Sequence, residues 1–396
     1  MSRNLMSQAS SKLSRRQWVL LFAVILALIG IVMVGSASMD MAALNYKSPF
    51  YFVERQTIYL TAGIVFGALV YQIPLVVWER SSMSLLLVAY ILLLLVLIPG
   101  IGRNINGSTR WLALGPIHVQ VSEIVKICAL MYVAGYLVRR SEEVRERFSG
   151  FIKPVLILSI MVALLMKQPD FGTVVVIMSS VFVMLFLAGV KFGQFALVVL
   201  GSLGAGTLMV VSSAYRMRRV LGYMDPWATQ YSTGYQLVQS LIAFGRGEWF
   251  GVGLGNGIQK LFYLPEAHTD FVFAVVAEEF GFFGNLCLLL LYIALVFTAM
   301  SIGRAAEKQG KKFNGYLVYG LSVMLGLQAI VNMGVSSGML PTKGLTLPLI
   351  SYGGSSLIIV CVVLSLIMRA DYENSLHQET KAEAGRKKRL DLEVTG

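Results

Sequence analysis

Charged residues are scarce in this chain. Asp, Glu, Lys and Arg make up 14% of its 396 residues, whereas 56% of the residues are hydrophobic. A soluble globular domain carries about 25% charged residues. So low a charge content at this length, with a mean hydropathy of +0.71, excludes a soluble protein and indicates one whose solvent is lipid.

Cysteine is rare as well, and the motifs of nucleotide-binding enzymes are missing. The three cysteines, Cys128, Cys287 and Cys361, lie in apolar runs, so no disulfide framework is predicted. The sequence has neither a Walker loop nor a Rossmann fingerprint. The alternating glycines at 251–255 follow no predicted strand, and we interpret them as a turn. The net charge of +12 is typical of basic cytoplasmic loops in a membrane protein and gives no signal for nucleic acid binding.

Hydrophobic segments recur along the chain and predict an all-α polytopic membrane protein with about ten transmembrane helices. A span needs roughly 20 apolar residues, and shorter spans are tolerated. The predicted segments are 18–36, 57–71, 83–98, 122–137, 154–166, 173–187, 192–212, 271–300, 315–338 and 355–368. The first of them is long enough to remain as a span instead of being removed as a signal peptide.

Three regions follow from this division. Residues 1–17 are predicted to be a cytoplasmic N-terminal segment, 18–369 a single membrane domain, and 370–396 a cytoplasmic tail. The tail has mixed charge and few apolar residues, so we expect it to be mobile.

Basic residues in the loops predict the orientation. If the N-terminus is cytoplasmic, the short loops obey the positive-inside rule, and both termini lie in the cytoplasm. The exception is the long extracytoplasmic loop 214–270, between the seventh and eighth helices, which carries Arg216, Arg218 and Arg219. Long loops are translocated largely regardless of charge. These arginines are either solvated or near lipid headgroups, or they have an anionic ligand.

The end of this loop places an imidazole and a carboxylate at the membrane surface. His268 and Asp270 immediately precede the eighth hydrophobic segment. A carboxylate there can act on a substrate whose reactive part is in water and whose anchor is in lipid, so Asp270 is the candidate catalytic residue. His268 is either a second titrating group or a cap. Apolar residues at helical spacing in 235–244 predict an interfacial amphipathic helix over the entrance near Asp270.

Polar residues within the spans are costly and therefore candidates for function. Glu123 and Lys126 are three residues apart on one helix face. They form either a neutralising ion pair or an orienting pair whose lysine can meet a phosphate. Glu278 and Glu279 must face the protein interior or a cavity.

The apolar segment 340–356 is broken by prolines and glycines. Irregular backbone at membrane depth is tolerated only against protein or a water-filled cavity. Ser355 opens the last helix, whose free N–H groups favour an anion, and Lys343 would add a cation. The alternative is that Ser355 only caps the helix. Gln328 and Asn332, one turn apart, are most simply interhelical hydrogen bonders.

The loop before the fourth helix ends in Arg110 and Trp111. A tryptophan at the membrane interface is usually an anchor in the aromatic belt. The adjacent arginine makes contact with a sugar or a phosphate conceivable.

Three motifs resemble those of the SEDS family (shape, elongation, division and sporulation). They are 265–271 (Pro-Glu-Ala-His-Thr-Asp-Phe), the acidic pair of the eighth helix, and 341–356. The resemblance covers nearly the whole chain. Within the family, 339–348 and Ala267 are closer to the cell-division member than to the elongation member.

The resemblance implies an inverting peptidoglycan glycosyltransferase that polymerises lipid II at the outer face of the inner membrane during septal wall synthesis. Asp270 matches the family's essential acidic residue, and Trp111, Glu123 and Lys126 match positions in its outer cavity. The full predicted substrate-binding set is Trp111, Arg110, Glu123, Lys126, Arg216, Arg218, Arg219, His268, Lys343, Tyr352 and Ser355. No cofactor is certain. A divalent cation, Mg²⁺ or Mn²⁺, shared by Asp270 and the pyrophosphate is the alternative role for this carboxylate.

The implied partners are lipid II, the nascent glycan strand, a class B penicillin-binding transpeptidase and other division proteins. The rival functions are a lipid II flippase or transporter, the elongation-type paralogue, and a scaffold without catalysis. A transporter shares the broken helices and buried charges, and it is expected to hold its site near the bilayer midplane. The candidate residues here cluster at the outer rim instead.

Overall fold

The computed structural model describes residues 13–105, 108–114, 117–341 and 344–394. All ten predicted hydrophobic segments are helical. They correspond to α1 (Arg15–Tyr46), α2 (Tyr51–Gln72), α4 (Ser82–Leu97), α5 (Val121–Arg139), α7 (Phe148–Lys167), α8 (Phe171–Leu187), α9 (Phe192–Val211), α12 (Val272–Lys308), α13 (Lys312–Ser336) and α14 (Gly354–Val394). Four shorter helices lie between them, namely α3 (Leu75–Arg80), α6 (Ser141–Glu146), α10 (Ala214–Met224) and α11 (Tyr235–Gly247).

Seven of the described helices are long and apolar enough to cross a membrane: α1, α5, α7, α9, α12, α13 and the part of α14 up to Gln378. Helices α4 and α8 are apolar but only 16 and 17 residues long, or about 24–26 Å at 1.5 Å per residue. The predicted polytopic helical fold is therefore confirmed, whereas the count of ten spans is not.

Helices α5 and α13 form the centre of the bundle. Apart from Ile124, every residue of α5 from Val121 to Leu137 is buried, and α13 packs against α5, α8, α12 and α14. Helix α9 is the opposite case, because none of its 20 residues is buried. The core is thus centred on α5 and α13, while α9 lies at its edge.

One end of the bundle carries most of the non-helical chain, and we call it the loop end. A small antiparallel sheet lies there in the order β1 (Gly102–Ile105), β2 (Ser108–Leu114) and β3 (Ile117–Gln120). It was not predicted, because strands of 4 to 7 residues are too short to show a clear alternation of apolar and polar residues. The loop end also holds α10, α11 and the segment 340–353.

Helix α12 is broken near the loop end. Gly281 has φ 66° and ψ −161°, and the loop 248–253 fills the break. Four backbone hydrogen bonds join them: Val252 N to Glu278 O, Gly253 N to Glu279 O, Phe282 N to Glu248 O and Phe283 N to Trp249 O. The glycines at 251, 253 and 255 all have positive φ, as the predicted turn requires.

We call the opposite end of the bundle the tail end. There, the last helix does not end at residue 369. Helix α14 continues to Val394, so the predicted tail is helical over its described part, and its mobility stays a prediction. The carboxylate of Glu373 anchors this extension. It accepts hydrogen bonds from Leu75 N at 2.9 Å, Arg369 Nε at 3.0 Å and Asn314 Nδ2 at 3.0 Å. Composition did not reveal this anchor, because two of the three donors, Leu75 and Asn314, come from distant parts of the chain.

Candidate active site

Asp270 lies at the loop end, immediately before α12, and is half-buried. Its backbone carbonyl accepts a hydrogen bond from Asn332 Nδ2 at 2.9 Å. Gly344 lies beside its carboxylate, and a Cβ atom at this glycine would be 3.0 Å from Asp270 Oδ2. The carboxylate therefore lies where the long loop meets the segment 344–353. Lys343, predicted to supply a cation here, lies outside the described residues.

Side chains of neighbouring helices satisfy the irregular backbone of this segment. Asn332 Nδ2 donates to Leu345 O at 2.6 Å, Gln328 Nε2 donates to Thr346 O at 3.1 Å, and the Tyr292 hydroxyl donates to Pro348 O. Within the segment, Leu347 N donates to Ser351 Oγ at 2.8 Å. The segment is thus held against protein, as its depth in the bundle demands.

The pair Glu123 and Lys126 is buried and ion-paired, with 2.9 Å between Lys126 Nζ and Glu123 Oε1. The same amine donates to Gln328 Oε1 at 2.8 Å. The predicted interhelical role of Gln328 is therefore confirmed, whereas Asn332 bonds loop backbone and not another helix. The ion pair connects through Gln328 to Thr346. Direct contact of the pair with substrate stays a prediction.

His268 is buried against two aromatic rings, which also contact each other. Its ring centroid is 4.5 Å from that of Phe52 and 5.7 Å from that of Tyr352, and its carbonyl accepts from Tyr352 N at 2.9 Å. Burial lowers the pKa of His268, and the carboxylate of Glu266 partly opposes this. The structure thus brings His268 and Tyr352 together beside Asp270, with a neutral imidazole at pH 7.

Arg55 was not singled out from the sequence, yet it belongs to this neighbourhood. Its guanidinium lies 4.7 Å from the ring centroid of Tyr51 and interacts with Tyr352. The side chain is exposed at the loop end of α2. In the sequence, Arg55 is an arginine near the beginning of an apolar helix. The predicted orientation places this end outside the cytoplasm, where the positive-inside rule disfavours basic residues.

The guanidinium of Arg110 binds the turn between α7 and α8. It donates to Gln168 O at 3.0 Å and to Pro169 O at 2.6 Å, and it lies 3.6 Å from Asp170 Oδ1. Asp170 in turn accepts from Thr173 N and begins α8. Arg110 therefore joins strand β2 to this turn. Its contact with substrate stays a prediction and would require it to leave these partners.

Ser355 joins the sheet to α14. Its hydroxyl accepts from Gln120 N and donates to His118 O, both at 3.0 Å. Because α14 begins at Gly354, Ser355 lies inside the first turn and does not cap it. Trp111 is half-buried in β2, paired with Gln120 in β3. The sheet therefore lies beside the beginning of α14, directly after the segment 344–353.

The arginines of the long loop lie on α10. Arg218 is exposed, and its Nε donates to Ala214 O at 3.3 Å. The side chains of Arg216 and Arg219 lie outside the described part of the structure. The Tyr223 hydroxyl of α10 donates to Met339 O at 2.8 Å. Met339 immediately precedes the segment 340–356, which we call the broken segment.

Helix α11 confirms the predicted helix at 235–244, but protein covers its apolar face. Leu237 and Val238 are buried, and α11 packs against α12 and α13. Ser240 Oγ donates to Ser336 O at 2.5 Å. The expectation that this face lies on the lipid is wrong, because the first part of α12 and the end of α13 cover it.

Glu278 and Glu279 are fully buried and face the interior, as predicted. Glu278 Oε1 pairs with Arg246 Nη1 at 2.9 Å, and Glu279 Oε1 pairs with Lys260 Nζ at 2.6 Å. These two ion pairs attach the end of α11 and the loop that follows it to α12. The acidic pair is therefore neutralised and holds the fold around the site.

No preformed metal cage is found in the described residues, since no three His, Cys, Asp or Glu side chains lie together there. Mg²⁺ is commonly held by one or two carboxylates together with substrate phosphates. The single carboxylate of Asp270 fits that mode of binding and does not fit a structural metal site.

Comparison with known proteins agrees with the motifs. The family model described as "Cell cycle protein" (FtsW/RodA/SpoVE) matches residues 16–376. Similar proteins named "Probable peptidoglycan glycosyltransferase FtsW" include those of the following three bacteria. Identity is 51% in Hahella chejuensis, over 91% of this chain and 91% of the relative. It is 51% in Saccharophagus degradans, over 90% and 92%, and 52% in Legionella pneumophila, over 88% and 89%.

Solved structures show the same fold. A chain from a structure on "Structural coordination of polymerization and crosslinking by a peptidoglycan synthase complex" superposes with a TM-score of 0.75 at 30% identity, covering 90% of this chain and 97% of that chain. The rod shape determining protein RodA of Thermus thermophilus gives a TM-score of 0.67 at 29% identity, over 90% and 96%. This chain therefore belongs to the FtsW/RodA/SpoVE family of cell cycle proteins, the SEDS family that its motifs resemble.

Proposed function

We propose that this chain is a peptidoglycan glycosyltransferase of the cell-division type, which polymerises lipid II into glycan strands during septal wall synthesis. One observation carries the proposal. The half-buried carboxylate of Asp270 lies at the loop end, between the long loop and the broken segment, in a chain about half identical to proteins named FtsW.

The chain is a multi-pass protein of the bacterial inner membrane, and we place its loop end outside the cytoplasm, with both termini inside. The connection between α5 and α7, at the tail end, supports this orientation. It carries four arginines: Arg139, Arg140, Arg145 and Arg147. Such a cluster in a short connection is typical of the cytoplasmic side.

The reaction is a single displacement at a sugar carbon. The 4-hydroxyl of the GlcNAc of lipid II attacks C1 of the MurNAc at the end of the growing strand. The bond from C1 to the pyrophosphate oxygen breaks, and the undecaprenyl pyrophosphate leaves with the electron pair. The hydroxyl proton passes to Asp270, whose general-base help is worth about 10²–10⁴-fold. The α-linkage of the donor becomes a β-linkage in the product.

The leaving pyrophosphate needs positive charge, and its polyprenyl chain needs an apolar surface. Arg218 on α10 and Arg55 on α2 are exposed cations at the loop end, and Arg216, Arg219 and Lys343 are further candidates in sequence. Two residues after Arg55, an apolar groove of about 470 Å³ begins on α2, lined by Thr57, Ile58, Thr61, Ala62, Val65 and Phe66. A divalent cation between Asp270 and the pyrophosphate would neutralise charge there.

The proposed partner is a class B penicillin-binding transpeptidase with a single membrane helix. Helix α12 offers the apolar surface for it, whereas α13 is largely buried. Past the break, α12 exposes five large apolar side chains: Phe282, Phe283, Leu290, Ile293 and Phe297. An apolar helix of the partner can pack along this face within the bilayer.

The depth of the polar groups argues against a transporter. Glu123 and Lys126 lie in the first two turns of α5, two and five residues after its first residue. At 1.5 Å per residue, these charges lie within about 8 Å of the loop end of their helix. A transporter holds its site near the midplane of a core roughly 30 Å thick.

Polymer synthesis from labelled lipid II by the purified chain, with and without the transpeptidase and with the divalent cation varied, tests the proposal. We expect Asp270→Ala to abolish polymerisation while the protein stays folded. Asp225→Ala, at an exposed aspartate of the same loop, should retain it. Polymer formed at the wild-type rate by Asp270→Ala would refute the base assignment. Movement of lipid II across vesicles without any polymer would support the transporter.

A further inference from the structure

Two side-chain amides of α13 hold the backbone around Asp270. Asn332 and Gln328 are buried and lie one turn apart. The Asn332 amide nitrogen donates both of its hydrogens, to Asp270 O at 2.9 Å and to Leu345 O at 2.6 Å. One side chain thus joins the last residue of the long loop to the broken segment.

We propose that Asn332 is a positioning residue for Asp270 in the polymerisation reaction, which rests on the function proposed above. By bridging the two carbonyls, Asn332 fixes the register between the loop and the broken segment. Gly344 precedes the bridged Leu345 and lies beside Asp270 Oδ2. The depth of the carboxylate in the site and the space in front of it are therefore set by the same amide.

The position of α13 itself is fixed one turn away. Gln328 donates to Thr346 O at 3.1 Å and accepts from Lys126 Nζ at 2.8 Å. Lys126 in turn is paired with Glu123. The buried ion pair therefore acts on the reaction through Gln328, by holding α13 and the broken segment together. A misplacement of 1 Å at a reacting group can cost about 10²-fold in rate.

The competing explanation is that Asn332 only satisfies two buried carbonyls and stabilises the fold. Both roles predict lower stability after substitution, but only positioning predicts a specific loss of kcat. Asn332→Asp tests this directly. It keeps the shape of the side chain and replaces the donating group by an oxygen that faces two carbonyl oxygens.

A matched control lies in the same helix. Asn314 is buried at the tail end, and its Nδ2 donates to Glu373 Oε2 at 3.0 Å. Asn314→Asp makes the same chemical change and also removes a donor from a carboxylate partner. The two sites are 18 residues apart, or about 27 Å along the helix. The control therefore reports the effect of lost stability without a change at Asp270.

The experiment measures polymerisation kinetics with lipid II and thermal unfolding on the same preparations. We expect Asn332→Asp to lower kcat by about 10- to 100-fold, with KM changed by less than about threefold. Asn314→Asp should keep kcat within about threefold of the wild type once rates are corrected for the folded fraction. Asn332→Ser keeps one of the two donors and should give an intermediate kcat; it also serves if the aspartate variant fails to fold.

Three outcomes would overturn the proposal: an unchanged kcat, a loss of kcat that only follows the folded fraction, or a rise in KM alone. A wild-type chain that makes no polymer would overturn the proposed function and this inference with it. An active wild type with equally active Asn332 variants would overturn only the inference.

Discussion

At the scale of the residue, neighbours decide which polar groups face a substrate. Arg110 and Arg218 are both basic residues of loop-end segments, yet Arg110 is occupied by Gln168, Pro169 and Asp170, while Arg218 is exposed. The sequence shows both arginines and cannot show this difference, because the partners of Arg110 lie about sixty residues along the chain.

His268 provides a pH-dependent test at this scale. Its pKa is lowered by burial against Phe52 and Tyr352, so near its ordinary value of about 6.5 the unfolded chain binds more protons than the folded one. Above that pH, burying the neutral ring costs no proton. As the pH falls below it, the free energy of unfolding decreases, because unfolding then allows the imidazole to bind a proton. We expect the unfolding temperature to drop between about pH 7.5 and pH 5.5, and His268→Gln to reduce the drop. The same slope in both proteins would show that another group is responsible.

At the scale of the element, the hydrophobic runs were predictable and their interruptions were not. Ten helices follow the ten apolar segments because lipid selects for apolar length. The break in α12 was missed because the predicted hydrophobic segment 271–300 runs through Gly281 without a proline, and the backbone groups that fill the break come from the loop 248–253. The spacing of Glu123 and Lys126 predicted their pairing, since i,i+3 contacts are local. No local sequence pattern predicted the hydrogen bond from Asn332 to the carbonyl of Asp270, because the two residues are far apart in the chain.

Replacing Gly281 tests whether the break is essential. Its φ and ψ lie in a region that is essentially restricted to glycine, and an added Cβ would be 2.4 Å from Gly251 N. We expect Gly281→Ala to destabilise the protein by at least about 1–3 kcal/mol, measured by thermal or denaturant unfolding in detergent, and to lower polymerase activity. Gly206→Ala in α9 is the control, because a Cβ there meets nothing within 4 Å. Equal stability of the two variants would mean that the loop and α12 adapt without cost.

At the scale of the whole molecule, the two ends of the bundle have separate tasks. Asp270, the broken segment and the sheet form the loop end, while the tail end is held by Glu373 and its three donors. Helix α14 connects them, from Gly354 beside the site to Glu373, a distance of about 28 Å. The tail-end cluster should therefore contribute to stability and leave the chemistry of the site unaffected.

Glu373→Gln tests this separation. The substitution weakens the charge-assisted bond from Arg369 and leaves one of the remaining donors, Leu75 N or Asn314 Nδ2, facing an amide NH2 that cannot accept. We expect a loss of about 1–3 kcal/mol in the free energy of unfolding, with kcat per folded molecule unchanged. Glu142→Gln, at an exposed glutamate of the same end, should change neither quantity. A lower kcat in folded Glu373→Gln would show that the two ends are coupled through α14.

Helix α9 gives the bilayer a direct influence on this protein. With no buried side chain among its 20 residues, it is positioned mainly by the match between its length, about 30 Å, and the local hydrocarbon thickness. Its far end leads into α10, which carries Arg218 and is tied to Met339. A thinner or thicker membrane would tilt α9 and raise or lower Arg218 without disturbing the core, so lipid composition would set the height of this cation at the loop end.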